Sequence, residues 1–372
     1  MSGALFFLVF TAAFAAGGAS VYFASSKRLR LRRAKHSRSS IITNAMEYRL
    51  SMGPRIVAIG GGTGLSTLLG GLKGFTRNIT AVVAVTDEGG SSGRLRQEWG
   101  MLPPGDIRNC IVALAENDSS LNSLLNFRFD RGELKGHSLG NLILLATTEM
   151  MGDFQRAVEE LNKMLAIRGQ VLPVTTENVV LKGETKDGER LTGELEISDH
   201  GRELAKLWIE PSDAEPLDAV KRALSEAEVI VLGPGSLFTS VMPNLLLTEM
   251  AALLRDVKVP IIYIANLMTQ PKETEGMNIV AHVDWIASIL GAVPDYILAN
   301  QSAIPEEFVT RYANIGAEPL YLSAKEEEYL ESLGSEIIYG DYCEIKNGKY
   351  LRHNAKHLSE TIMEIVRGNR KN

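Results

Sequence analysis

Short apolar runs rich in β-branched residues alternate with amphipathic stretches along most of this chain. Apolar runs bounded by Gly, Asn or other polar residues predict strands at 56–59, 81–85, 229–232, 260–265 and 296–299. Periodicity predicts helices at 107–116, 139–151 and 154–165. Continuous buried strands separated by helices are typical of a parallel sheet covered on both faces. The pattern therefore predicts an α/β fold, a Rossmann-like, doubly wound and mainly parallel sheet.

Residues 170–210 interrupt this alternation. Two β-rich segments flank the polar turn at Lys186–Glu189, as in an antiparallel hairpin. Strands of the main pattern resume at Val229. We therefore expect a small β-hairpin insertion at about 170–210 and no separate domain.

The N-terminal part of the chain is an uncharged apolar segment followed by a basic cluster. Residues 4–26 are long enough to span a bilayer, which takes about 20 residues. Seven Lys or Arg follow between positions 27 and 38, whereas a cleaved signal peptide carries its positive charge before the apolar run. We expect an uncleaved transmembrane anchor at 4–26, with the N-terminus outside and a basic juxtamembrane linker at 27–54 on the cytoplasmic side.

The remaining residues, 55–372, are predicted to form one cytoplasmic globular domain tethered to the membrane. Beyond residue 50 the chain has 31 basic and 44 acidic residues, since eight of its 39 Lys and Arg and one of its 45 Asp and Glu precede that point. Such an acidic surface excludes a general nucleic-acid binder. Two distant cysteines and six histidines form no zinc or redox spacing, which disfavours a metal hydrolase.

A glycine-rich loop, Gly60-Gly61-Gly62-Thr63-Gly64, ends the first predicted strand and leads directly into a helix. This order brings backbone N–H groups and the positive end of a helix dipole to one point, where a phosphate or diphosphate binds. No Lys-Ser/Thr follows, so the loop is not a Walker P-loop, and Leu65 stands where a dinucleotide fingerprint has its third glycine. A glycine turn needed only for tight packing is the alternative.

A second polar cluster follows the second strand and so belongs at the same edge of the sheet. Asp87 suits a ribose hydroxyl or Mg²⁺, and the Gly- and Ser-rich run after it, including Gly90, Ser91 and Ser92, has the composition of an anion nest. Arg94 is placed to clamp a diphosphate. A flexible turn with solvated arginines is the alternative.

Two further motifs are less specific. Asp106 follows a Pro-Pro-Gly turn, where it caps the next helix or holds a metal ion, and Asn109 is a candidate substrate contact. The Gly-His-Ser turn before an apolar helix brings His137 and Asn141 towards the cleft, or serves only to start that helix. No acidic partner supports a Ser–His nucleophile.

The strand at 229–232 repeats the opening order of strand, glycine loop and helix. Its Gly-Pro-Gly loop and the Ser and Thr that follow predict a second phosphate or ribose contact, and Asn266 follows the next strand at the same edge. Tyr312 and Arg352 stand in late polar segments that are also compatible with a plain solvated surface. The candidate nucleotide-binding residues are Gly61, Gly62, Thr63, Gly64, Asp87, Gly90, Ser91, Ser92, Arg94, Asn109, His137, Asn141, Gly233, Gly235, Ser236, Thr239, Ser240, Asn266, Tyr312 and Arg352.

These motifs together resemble the 2-phospho-L-lactate transferase (CofD)-like superfamily, and within it the YvcK-type gluconeogenesis factors. The segments that carry the resemblance are Gly-Gly-Gly-Thr-Gly-Leu-Ser, Asp-Glu-Gly-Gly-Ser-Ser-Gly-Arg, Pro-Gly-Asp-Ile-Arg-Asn, Gly-His-Ser-Leu-Gly-Asn and Gly-Pro-Gly-Ser-Leu-Phe-Thr-Ser. The match runs in order from Arg55 to about Ile365.

The resemblance implies a Rossmann-like domain that binds a nucleoside diphosphate adduct. In the YvcK-type branch this is a UDP-sugar, notably UDP-N-acetylglucosamine, with a regulatory role in carbon metabolism, cell-wall synthesis and cell shape, and no established reaction. By the same resemblance Tyr312 and Arg352 fall in segments linked to UDP-sugar binding. The alternative is a transferase that uses Mg²⁺ held by Asp87 and Asp106. Under either reading we expect a homo-oligomer.

Overall fold

The computed structural model describes residues 45–116 and 119–370, and the chain divides into two compact units, Met1–Met52 and Gly53–Asn372. In the first unit residues 45–51 are helical (α1). The predicted transmembrane helix at 4–26 and most of the linker lie outside the described residues. Among the described helices none is both long and apolar enough to cross a membrane alone, although the bent pair Leu237–Leu245 and Thr248–Asp256 reaches that length and hydropathy jointly.

Seven parallel strands form the central sheet of the second unit, in the order β10-β9-β8-β7-β1-β2-β3. These strands are β1 (Ile56–Gly60), β2 (Ile79–Val83), β3 (Gln170–Pro173), β7 (Val229–Leu232), β8 (Ile261–Ile264), β9 (Tyr296–Asn300) and β10 (Glu336–Gly340). The predicted α/β, Rossmann-like architecture is confirmed.

The strand order reverses between β1 and β7. From β1 the chain builds outward through β2 and β3, and from β7 it builds outward in the opposite direction through β8 to β10. At such a switch point the loops that follow the two central strands diverge to opposite faces of the sheet and leave a crevice between them. The two glycine loops predicted from the sequence are the loops that flank this crevice.

Helices cover both faces of the sheet. They are α2 (Gly62–Leu72), α3 (Gly90–Trp99), α4 (Gly105–Leu114), α5 (Ser119–Asn126), α6 (Leu139–Met151), α7 (Phe154–Met164), α8 (Glu194–His200), α9 (Asp218–Glu226), α10 (Met242–Leu245), α11 (Thr248–Asp256), α12 (Ile279–Leu290), α13 (Glu306–Ala313), α14 (Ala324–Ser332) and α15 (Ala355–Asn369), with a π-helical turn at Leu237–Val241 before α10.

Helix α2 shows how the sequence pattern produces the packing. Leu65, Leu68, Leu69 and Leu72 recur at helical spacing, and all four are fully buried. Burial of a leucine side chain contributes about 1.5–3 kcal/mol, so this one apolar stripe is enough to hold the helix on the sheet. The first turn of α2 is thereby fixed directly after β1.

The insertion is shorter than predicted at its start. Gln170–Pro173, which we assigned to it, is strand β3 and pairs in parallel with β2 at the edge of the central sheet. Val171 and Leu172 are buried there, so sheet pairing and burial outweigh the hairpin-like pattern. The separate sheet consists of β4 (Val180–Thr185), β5 (Arg190–Thr192) and β6 (Leu204–Glu210), all antiparallel.

Several element boundaries also differ from the predictions. Glu194–His200, inside the predicted hairpin insertion, forms helix α8 and not a strand, and β2 lies two residues earlier than expected. Strand β10 and the two-stranded sheet of β11 (Cys343–Lys346) and β12 (Tyr350–His353) were not predicted, because their short, half-exposed sequences lack a clear period.

Candidate functional site

The largest concentration of predicted site residues lines a cleft at the switch point. Its volume is about 370 Å³. The first glycine loop, the loop after β7, the segment after β8, helix α13 and strand β12 all contribute to its lining. The lining includes Gly61, Gly62, Thr63, Gly64, Gly235, Ser236, Ser240, Asn266, Gln270, Tyr312, Arg352 and His353.

The first glycine loop needs glycine at two positions for different reasons. Gly62 has φ +63°, a conformation that favours glycine. A Cβ on Gly64 would lie 2.3 Å from the carbonyl oxygen of Pro234, so the two loops pack backbone against backbone. The N-cap residue of α2, Gly61, has no side chain, so the first amides of this helix depend on groups from elsewhere in the fold.

The carboxylate of Asp106 does not cap its own helix. Helix α4 begins at Gly105 with Pro104 at the cap position, and the Oδ2 atom of Asp106 instead accepts the N–H of Gly62 at 2.6 Å. The capping interpretation is therefore wrong. Burial, reinforced by the nearby charge of Asp87, raises the pKa of Asp106 to about 6. A carboxylate thus stands at the N-terminus of α2, beside the expected position of a phosphate.

Asp87 and Glu194 extend this acidic group. The Oε2 atom of Glu194 accepts the N–H of Glu88 at 2.9 Å, and Oε2 of Glu88 accepts the N–H of Glu194 at 3.1 Å. Burial and the adjacent Asp87 carboxylate raise the pKa of Glu194 to about 8. Among the described residues, no three His, Cys, Asp or Glu side chains are arranged to hold a metal ion.

The loop after β7 is fixed from behind by a buried carboxylate. Glu273 is 2% exposed, and its Oε1 accepts the N–H of Phe238 at 2.9 Å. The amide of Thr239 and the hydroxyls of Ser236 and Thr239 face this carboxylate and favour its ionised form. Burial nevertheless raises the pKa of Glu273 to about 7. The carboxylate thus satisfies an N–H group at the start of the π-helical turn and holds the loop after β7 in place.

Helix α13 and strand β12 contribute charged and aromatic side chains to the lining of the cleft. The Nη1 atom of Arg352 donates to the carbonyl of Leu351 at 2.8 Å, and its guanidinium forms no ion pair with any described carboxylate. The Tyr312 hydroxyl accepts the N–H of Leu351 at 3.4 Å. Nε2 of His353 lies 3.1 Å from the Ala265 carbonyl, and burial lowers the pKa of His353 to about 4. Arg352 therefore supplies the cleft with an unneutralised positive charge.

A second group of predicted residues lies together but does not line this cleft. Ser91 Oγ is 3.0 Å from Nδ1 of His137, and Nδ2 of Asn141 donates to Ser91 Oγ at 3.0 Å. Ser138 is the N-cap of α6 and accepts the N–H of Asn141, as the structural interpretation of that motif expected. The partner of His137 is thus Ser91.

The other predicted residues that do not line the cleft either belong to the acidic group, as Asp87 does, or make hydrogen bonds elsewhere in the fold. Ser92 Oγ accepts the N–H of Gly105 at 3.1 Å, and Arg94 donates to the Lys135 carbonyl at 2.7 Å. Asn109 accepts from Arg108 at 2.5 Å. Predicted residues outside the cleft lining are Asp87, Gly90, Ser91, Ser92, Arg94, Asn109, His137, Asn141, Gly233 and Thr239.

Comparison with known proteins identifies the family. The family model described as 2-phospho-L-lactate transferase CofD matches residues 56–343. The gluconeogenesis factor of Halalkalibacterium halodurans is 43% identical over 311 residues, covering 83% of this chain and 95% of that protein. The gluconeogenesis factor of Bacillus subtilis is 40% identical over 316 residues, covering 84% and 98%.

A solved structure agrees with both relatives. The crystal structure of a upf0052-family protein from Bacillus halodurans has a TM-score of 0.79 and 41% identity, covering 84% of this chain and 99% of that one. The order of motifs, the switch-point cleft and these matches lead to one conclusion: the chain belongs to the CofD family, among the gluconeogenesis factors.

Proposed function

We propose that this protein binds a UDP-sugar, with UDP-N-acetylglucosamine as the leading candidate, as a regulatory factor. The observation that carries the proposal is the cleft that brings two glycine loops together with Tyr312 and Arg352. Glycine-rich loops before α2 and after β7 let a diphosphate approach the backbone closely, and Arg352 adds a cation in an otherwise acidic protein. The resemblance drawn from the sequence supplies the choice of uridine.

The proposed biological role rests on the metabolic use of the ligand and on the names of the relatives. UDP-N-acetylglucosamine is a precursor of the cell wall, and the relatives are named gluconeogenesis factors. A protein that senses this precursor links carbon metabolism to wall synthesis and cell shape. The apolar segment at 4–26 and the basic residues after it would keep the binding domain on the cytoplasmic side of the membrane, beside the lipid-linked steps.

The test is titration of the purified full chain with UDP-N-acetylglucosamine by calorimetry and thermal unfolding. Binding to the native state alone raises stability by RT ln(1 + [L]/Kd). Arg352→Ala should weaken binding at least roughly tenfold, because a charge-assisted contact to phosphate contributes about 1.5–3 kcal/mol. Arg156→Ala, at an exposed position on α7, serves as the matched control. The absence of any shift at millimolar ligand would exclude the proposal.

The acidic group favours one alternative, a Mg²⁺-dependent phospho-transferase. Asp106 bonds the first glycine loop and lies near Asp87, and its pKa is raised first by burial and then by the charge of Asp87, which a divalent cation would offset. Bound there, Mg²⁺ would stabilise negative charge on a diphosphate leaving group. This reading predicts metal-dependent release of a nucleoside monophosphate from a guanosine or uridine diphosphate adduct. Binding without turnover for both donors would reject it.

A further inference from the structure

The cleft contains one buried hydrogen-bond acceptor that has no partner. It is the Oε1 atom of Gln270, in the segment that follows β8. Gln270 lines the cleft beside the loop after β7. A buried amide oxygen without a hydrogen bond costs about 1–3 kcal/mol, so its presence in a binding cleft indicates a donor on the ligand.

The orientation of this amide follows from its neighbours. Nε2 of Gln270 donates to the Ser236 hydroxyl at 2.7 Å, and that hydroxyl faces the buried Glu273 side chain. With the NH₂ group committed to Ser236, the oxygen of the same amide must point elsewhere. Ser236 therefore determines which end of Gln270 is presented.

The backbone of Gln270 is also held. Its N–H donates to Oγ1 of Thr274 at 2.9 Å, and the N–H of Thr274 donates to the carbonyl of Gln270 at 3.0 Å. Thr274 is fully buried. The side chain thus has fixed anchors at both ends and is preorganised for one hydrogen bond.

We infer that Gln270 is a specificity-determining residue that accepts a hydrogen bond from a sugar hydroxyl of the bound nucleotide. The inference rests on the proposed function, because it takes the cleft to be a sugar-nucleotide site. A phosphate oxygen offers no proton to Oε1, whereas a hydroxyl next to the diphosphate does. Two sources carry that group, the ribose and the terminal sugar.

The experiment measures affinities of the full chain by calorimetry for UDP-N-acetylglucosamine, UDP, and the 2′-deoxy and 3′-deoxy forms of both ligands. Gln270→Ala should weaken binding of the parent sugar nucleotide roughly three- to tenfold. If the ribose is the source, one deoxy ligand loses affinity for wild type but not for the variant, and UDP is weakened as much as the sugar nucleotide. If the terminal sugar is the source, Gln270→Ala weakens UDP-N-acetylglucosamine and leaves UDP unchanged.

Two further variants separate recognition from a structural effect. Arg156→Ala, at an exposed position on α7 away from the cleft lining, should leave the affinity and the ligand discrimination of wild type intact. Glu273→Gln places an amide donor beside Ser236, where it competes with the hydrogen bond from Gln270, so the ligand discrimination should fall. A structural role alone would weaken every ligand equally.

The outcomes distinguish this inference from the proposed function. If wild type binds the UDP-sugar, and Gln270→Ala binds and discriminates as wild type does, the inference is wrong and the proposed function stands. Equal weakening of all ligands, UDP and deoxy forms included, with unchanged discrimination also overturns it. If wild type binds no uridine nucleotide, both fail.

Discussion

Alanine substitutions at Gly64 and Gly70 in helix α2 should change stability in opposite directions. At Gly64 a Cβ would lie 2.3 Å from the Pro234 carbonyl oxygen, whereas at Gly70 it would meet nothing within 4 Å. Ordinary contact distances are about 3.5 Å, so Gly64→Ala forces the two loops apart by about 1 Å. Overpacking of this kind costs about 1–3 kcal/mol, against the roughly 0.5–1 kcal/mol that alanine contributes inside a helix. Gly70→Ala should therefore show only the stabilisation that alanine provides inside a helix, because its Cβ meets no other atom.

Urea denaturation of both variants and wild type measures these changes, and calorimetry with UDP-N-acetylglucosamine measures their effect on the cleft. We expect Gly64→Ala to lose about 1–2 kcal/mol of unfolding free energy and Gly70→Ala to gain about 0.5–1 kcal/mol. Affinity should fall by about tenfold or more in Gly64→Ala alone, since an error of about 1 Å in a positioning element is costly. Equal stability and equal affinity in the two variants would refute the packing of the two loops.

Three further substitutions test the acidic group and the core. Asp106→Asn should have a free energy of unfolding about 3 kcal/mol above that of wild type at pH values above 6, and the same value below pH 4. The reason is that folding raises the pKa of Asp106 from its ordinary value to about 6, so ionising this side chain above pH 4 destabilises the folded wild type. Denaturation at several pH values checks this, and a constant difference would contradict it. For Glu194→Gln the advantage should keep growing up to about pH 8, where the folded carboxyl ionises; a plateau near pH 5 in the same series would disprove this. Leu68→Ala, at a fully buried position, should lose about 2–5 kcal/mol by denaturation, and a loss below 1 kcal/mol would show that α2 is not packed as described.

The parts of the fold that the sequence predicted are those with strong local signals. Strands β1 and β7 are continuous apolar runs that end in glycine loops, and both were placed within one residue of their bounds. The meeting of their loops followed from a general rule for parallel sheets, since their carboxyl ends share an edge. Strand β10 was missed because half-buried residues at a sheet edge leave no clear alternation.

The residues that support the cleft could not be predicted in the same way. Glu273 contacts a loop 35 residues earlier in the chain, and Glu194 bonds a residue 106 positions away. Neither has a local pattern that separates it from the many solvated glutamates of this acidic domain. Their burial depends on tertiary packing, which periodicity does not report. His137 was found from a local signal, the glycine turn that precedes it. Its hydrogen-bond partner Ser91 is 46 residues away in sequence and could be identified only from the structure.

The small β insertion explains why these distant carboxylates are in place. One end of α8 carries Glu194, which is bonded to the loop after β2. Just beyond the other end of α8, Gly201 and Arg202 pack against the segment that contains Glu273. A Cβ on Gly201 would lie 2.3 Å from the Glu273 carbonyl oxygen, and the N–H of Arg202 donates to the Lys272 carbonyl at 3.1 Å. One short helix and its flanking residues therefore brace two of the loops at the sheet edge, although none of these residues lines the cleft. A binding site made of glycine-rich loops needs such external support, because glycine itself restricts the backbone least.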